Sequence, residues 1–81
     1  MKLLLRLFAA GRRKEQREAI ERVADDPKLT AKVRAFVIDL HEKRTGKKLG
    51  KIGDGELLKL FLQYAPQIMA FIMQLIAVIP K

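Results

Sequence analysis

Cysteine, tryptophan, serine and asparagine are all absent from this sequence of 81 residues. Without cysteine there is no disulfide framework and no thiolate zinc site, so redox chemistry does not indicate a compartment. Without serine or cysteine, the commonest nucleophiles of covalent catalysis are missing too. The single histidine, His41, has no evident partner, and we interpret it as helix surface. The sequence therefore predicts no enzyme activity, no catalytic residues, no cofactor and no metal site.

The chain is also short and strongly basic. It forms one small domain at most, and without a covalent staple it needs support from an oligomer, a bilayer or a larger assembly. Seventeen Lys and Arg residues stand against nine Asp and Glu residues, which gives a net charge of +8. This balance predicts an anionic partner: lipid headgroups, nucleic acid or an acidic protein surface.

The charges are unevenly distributed. Residues 1–56 contain 15 of the basic residues and all nine acidic ones, whereas only Lys59 and Lys81 are charged from position 57 onward. We therefore predict a basic helical domain over 1–53 and a hydrophobic C-terminal helix over 54–81.

The first segment, MKLLLRLFAAGRRK, is amphipathic. Arg6 interrupts its apolar stretch, which excludes a typical signal peptide. At 100° per residue the basic side chains cluster apart from a broad apolar arc, which predicts a helix that ends near Gly11. The arc is typical of a helix that lies in a membrane interface, with core packing as the alternative. The interfacial residues in this interpretation are Leu3, Leu4, Leu7 and Phe8.

Two charged helices and a basic loop follow. Asp26 and Pro27 predict the start of the third helix, and Gly46 predicts its end. Residues 46–55 form a loop rich in glycine and lysine, and its spacing does not fit a phosphate-binding loop. We predict contacts with anionic lipid or phosphate at Lys47, Lys48, Lys51 and Lys59.

The C-terminal quarter contains a run of 21 uncharged residues, LFLQYAPQIMAFIMQLIAVIP, at positions 60–80. A helix over 57–79 is about 34 Å long, which exceeds the roughly 30 Å hydrocarbon core of a bilayer. Its length and the placement of its flanking lysines predict one transmembrane helix, and Pro66 predicts a kink in its first third.

Small and amide side chains recur along this segment at steps of three and four. They form one narrow stripe, and the large apolar residues occupy the rest of the circumference. In lipid, such a stripe predicts contact between helices of a homo-oligomer or the lining of a narrow pore. In a soluble bundle the same stripe is the solvent-facing side. Its members are Gln63, Gln67, Ala70, Gln74 and Ala77.

Together these patterns predict an all-α protein with three short amphipathic or charged helices followed by one long transmembrane helix. The function that fits is a non-enzymatic, basic, membrane-anchored structural protein in an anionic bilayer, self-associating through the stripe. Its basic helices would contact a protein shell or nucleic acid. The positive-inside rule places these helices on the cytoplasmic side of a bacterial inner membrane or the interior side of a virion membrane.

Small basic single-span proteins of this type occur in the internal membranes of tailless bacteriophages, and the analogy is one of type only. Two alternatives stay open. One is a pore-forming or permeabilising peptide of the holin or bacteriocin kind. The other is a soluble, basic helical oligomer that binds nucleic acid, although no nucleic-acid-binding motif is present.

Overall fold

The computed structural model describes residues 2–78, and within that range the chain forms five α-helices and no strand. The predicted all-α class is confirmed. The helices are α1 (Lys2–Ala9), α2 (Lys14–Ala24), α3 (Pro27–Thr45), α4 (Asp54–Gln63) and α5 (Ala65–Val78).

The predicted ends of α3 are confirmed. The Asp26 carboxylate accepts a hydrogen bond of 2.9 Å from the backbone N–H of Lys28, and Pro27 occupies the first turn. At the other end Gly46 adopts a left-handed conformation with φ of 72°, which a glycine tolerates without steric cost. These boundaries depend on neighbouring residues only, so the local sequence suffices to predict them.

All five helices contribute to one apolar core. Helix α1 packs against α2 and α4, and α5 packs against α2 and α3. The rings of Phe8 and Phe61 meet edge to face at 5.3 Å between centroids. Residues from both predicted regions, 1–53 and 54–81, are therefore packed together in this fold. The side chains with no exposed surface include Leu5, Ile20, Val33, Phe61 and Ile72.

The prediction of one long C-terminal helix is corrected by the structure. The segment divides at Tyr64 into α4 and α5, whose axes differ in direction by 92°. Pro66 has no N–H to donate to the carbonyl of Leu62, and its ring clashes with that carbonyl in a straight helix. The predicted kink is thus present but amounts to a right-angle turn. Ile79, the last residue of the predicted span, lies outside the described residues.

Candidate functional site

Tyr64, at the bend between α4 and α5, contacts α3. The Tyr64 side chain is 1% exposed, and its hydroxyl lies 2.9 Å from His41 Nδ1. Gln63 Nε2 lies 3.5 Å from the same hydroxyl, and the Arg44 guanidinium lies 5.5 Å from the ring centroid. Tyr64 therefore connects the bend of the apolar segment to α3.

The sequence-based interpretation missed this contact. His41 is half-buried and bonded to Tyr64, so it is not the free helix surface that was expected. The two residues are 23 positions apart, and no local pattern brings them together. One signal was available: they are the chain's one histidine and its one tyrosine, two side chains that hydrogen-bond when buried.

Replacing Tyr64 with phenylalanine should lower the free energy of unfolding by about 1 kcal/mol, because the substitution removes the hydroxyl and leaves the ring in place. Urea denaturation followed by circular dichroism measures this difference. Thr45→Val is the control, since the exposed Thr45 hydroxyl bonds only locally, to the His41 carbonyl, and to the N–H of Lys47. Its effect should stay below about 0.5 kcal/mol. Equal effects for the two variants would mean that the buried contact does not stabilise the bend.

The predicted Gln/Ala stripe lies on the outer surface of the bundle. Gln63 ends α4, and Gln67, Ala70, Gln74 and Ala77 follow one exposed face of α5. The opposite face of α5 carries the buried residues Ile68, Met69 and Ile72. The stripe is thus on the side that the soluble-bundle alternative assigns to solvent. That face is also accessible to a second copy, and self-association stays a prediction.

The predicted interfacial residues of α1 divide between core and surface. Leu4 and Phe8 are buried and serve packing in this fold, whereas Leu3 is 73% and Leu7 56% exposed. Lys2 and Arg6 are exposed on the same helix. Only one half of the predicted apolar arc is therefore available for contact with a membrane.

The predicted anion-binding lysines are all exposed, at Lys47, Lys48, Lys51 and Lys59. The loop that carries the first three is better anchored than its glycine content suggests. Leu49 and Ile52 pack against the core, and the Leu49 N–H donates a hydrogen bond of 2.8 Å to the Glu42 carboxylate. The alternation of these two apolar residues with lysines was the available signal for this arrangement.

Within residues 2–78, no single helix is both long enough and apolar enough to cross a membrane. The pair formed by α4 and α5 meets both requirements when its two members are taken together, across the bend of 92°. Comparisons of the chain with protein-family models, with curated proteins and with solved structures give no match.

Proposed function

We propose that this protein is a non-enzymatic, basic structural protein of anionic membranes, in which the α4–α5 pair leaves the bundle and spans the bilayer. The observation that supports the proposal most directly is the division of the uncharged segment into two helices at Tyr64. The pair has the length and composition of a span only when its members are joined. In the folded bundle, the segment that would span the membrane is packed in the core.

The free energy that favours membrane insertion and the free energy that favours the folded bundle are of similar size. The apolar residues of 57–79 favour insertion by about 4–7 kcal/mol before the cost of the polar side chains is subtracted. A domain of this length is stable by roughly 4–12 kcal/mol. Because neither term dominates, a membrane contact that contributes a few kcal/mol decides whether the pair stays packed or inserts.

The proposed partners follow from charge. In the spanning form, Lys47, Lys48 and Lys51 precede the membrane segment and lie near its surface. Each contributes up to about 1 kcal/mol of attraction to anionic lipid. The basic helices then face the cytoplasm or the interior of a virion membrane, where an overlying protein shell or nucleic acid is their second partner. An internal membrane of a tailless phage is the setting that this arrangement fits.

The second candidate is a soluble, basic helical oligomer that binds nucleic acid. The specific observation in its favour is the exposure of Gln67 and Gln74 on the outer face of α5. In this candidate the segment never leaves the core, and the basic helices bind phosphates directly.

A distance measurement across the bend tests the membrane proposal. We would introduce cysteines at the exposed positions Gly55 and Ala77, attach nitroxide labels, and measure their separation by pulsed electron paramagnetic resonance. Gly55 and Ala77 lie nine and thirteen residues from Tyr64, so two helices at right angles place them about 24 Å apart, and a continuous helix separates them by about 33 Å. We expect the shorter distance in buffer and the longer one on vesicles that contain phosphatidylglycerol.

The matched control carries labels at Lys28 and Lys43, which lie on α3 and should stay about 22 Å apart in both conditions. Extraction of the same vesicles with alkaline carbonate adds a second readout, because a spanning protein resists it. An unchanged distance across the bend, together with release by carbonate, would contradict the spanning proposal.

A further inference from the structure

We propose that four leucines on α1 and α4 form the surface on which the folded protein first docks to an anionic bilayer. We call Leu3, Leu7, Leu58 and Leu62 the leucine patch. This inference concerns the bundle before any helix is released, so it holds whether or not the proposed insertion follows.

The patch is continuous because α1 and α4 are neighbours. Leu3, Leu7 and Leu58 line an open groove of about 230 Å³ between the two helices. Leu62 follows Leu58 by four residues, one turn farther along the same face of α4. Phe8 of α1 and Phe61 of α4 are also in edge-to-face contact.

Three of the four leucines are exposed, and Leu58 is partly buried against the core. Leu3, Leu7 and Leu62 are 73%, 56% and 61% exposed, while Leu5 and Leu57 on the same two helices are fully buried. Adjacent exposed apolar side chains on a small protein mark a contact surface, whereas scattered ones need no explanation. Leucines with i,i+4 spacing on two adjoining helices form such a surface.

The charges near the leucine patch indicate which partner binds it. Arg6 and Lys59 are exposed and adjacent in sequence to Leu7 and Leu58. Each also lies near carboxylates, Arg6 near Glu21 and Asp25, and Lys59 near Glu56. Lys2 pairs with Asp25 at 3.1 Å, and Asp54 is the one carboxylate that lines the groove. A second copy of this chain, with its net charge of +8, would bring the same basic border against itself in a symmetric contact. An anionic lipid surface instead attracts Arg6 and Lys59 while the leucines enter the acyl boundary.

The docking surface is tested by vesicle co-sedimentation with Leu3→Gln/Leu7→Gln. On vesicles that contain phosphatidylglycerol, we expect affinity to fall by at least about tenfold, because two leucines lose their burial in lipid. The matched control is Ala31→Gln/Ala35→Gln, which introduces the same two glutamines at exposed positions of α3, outside the proposed span. Its affinity should be that of the unsubstituted protein.

Two further double variants test the contribution of the basic residues near the leucine patch. Arg6→Gln/Lys59→Gln and Lys28→Gln/Lys32→Gln both remove two positive charges from exposed sites. Only the first pair borders the patch, so we expect it to lose more affinity and more of the salt dependence. Circular dichroism of every variant confirms that the bundle is folded.

Three results would overturn the inference. The first is equal binding by the two apolar double variants, and the second is equal loss by the two charge variants. The third is concentration-dependent self-association that Leu3→Gln/Leu7→Gln abolishes while lipid binding persists, which would assign the patch to a second copy. Carbonate extraction separates this inference from the proposed function: bound protein that carbonate releases has docked without spanning.

Discussion

Replacing Phe61 with alanine should lower the free energy of unfolding by about 3–5 kcal/mol. Phe61 has no exposed surface, and its ring contacts Phe8 on α1, so the truncation opens a cavity where α4 meets α1. Because the whole domain is stable by roughly 4–12 kcal/mol, we expect a large loss of cooperative structure. Urea denaturation followed by far-ultraviolet circular dichroism measures it.

The adjacent substitution Leu62→Ala is the control, since Leu62 is 61% exposed. It should change stability by no more than about 0.5 kcal/mol. The comparison separates the bundle from a straight lipid-facing helix, in which neither residue contacts the amino-terminal helices. Similar effects of the two substitutions would argue that α4 is not part of the core.

Replacing Ala70 with arginine should separate folding from insertion. Ala70 is exposed on the outer face of α5, so the bundle accommodates the larger side chain with a stability change of no more than about 0.5 kcal/mol. In a span over 57–79 the same position lies near the bilayer centre, where an arginine costs about 2.5–3.5 kcal/mol. We expect carbonate-resistant insertion to fall about 100-fold while the folded protein keeps its stability.

Ala31→Arg adds the same charge at an exposed position of α3 and serves as the matched control. Insertion should be unchanged in this variant, because α3 stays outside the bilayer with the other basic helices in the proposed form. Full insertion of the Ala70→Arg variant would exclude a span centred on α5.

Local signals predicted both ends of α3. Asp26 with Pro27 and the left-handed Gly46 delimit α3, because capping depends on residues within one turn of the helix end. Pro66 predicted a disturbance of the apolar helix for the same reason. Its size was not predictable, because the direction that α5 takes after the bend depends on the side chains that receive it.

The exposed surface of α1 and α4 was predicted less well from the sequence. Hydrophobic periodicity identified an amphipathic α1 but not which half of its apolar arc faces inward, since Leu3 and Leu4 are equally apolar. The choice depends on the positions of α2 and α4, which both contact α1. Leu58 and Leu62 were counted within a uniform apolar segment, and only the fold separates them from the buried Leu57 and Phe61.

Composition and periodicity alone determined that this protein is helical and basic, and that its charge precedes a long uncharged segment. These properties belong to individual residues and to neighbours within a few positions. The tertiary structure decided that the segment turns through 92° at Tyr64, that His41 contacts Tyr64 at this bend, and that the glutamine stripe faces outward. Those outcomes depend on contacts between residues far apart in the chain, and a one-dimensional pattern of apolar residues does not specify which surfaces meet.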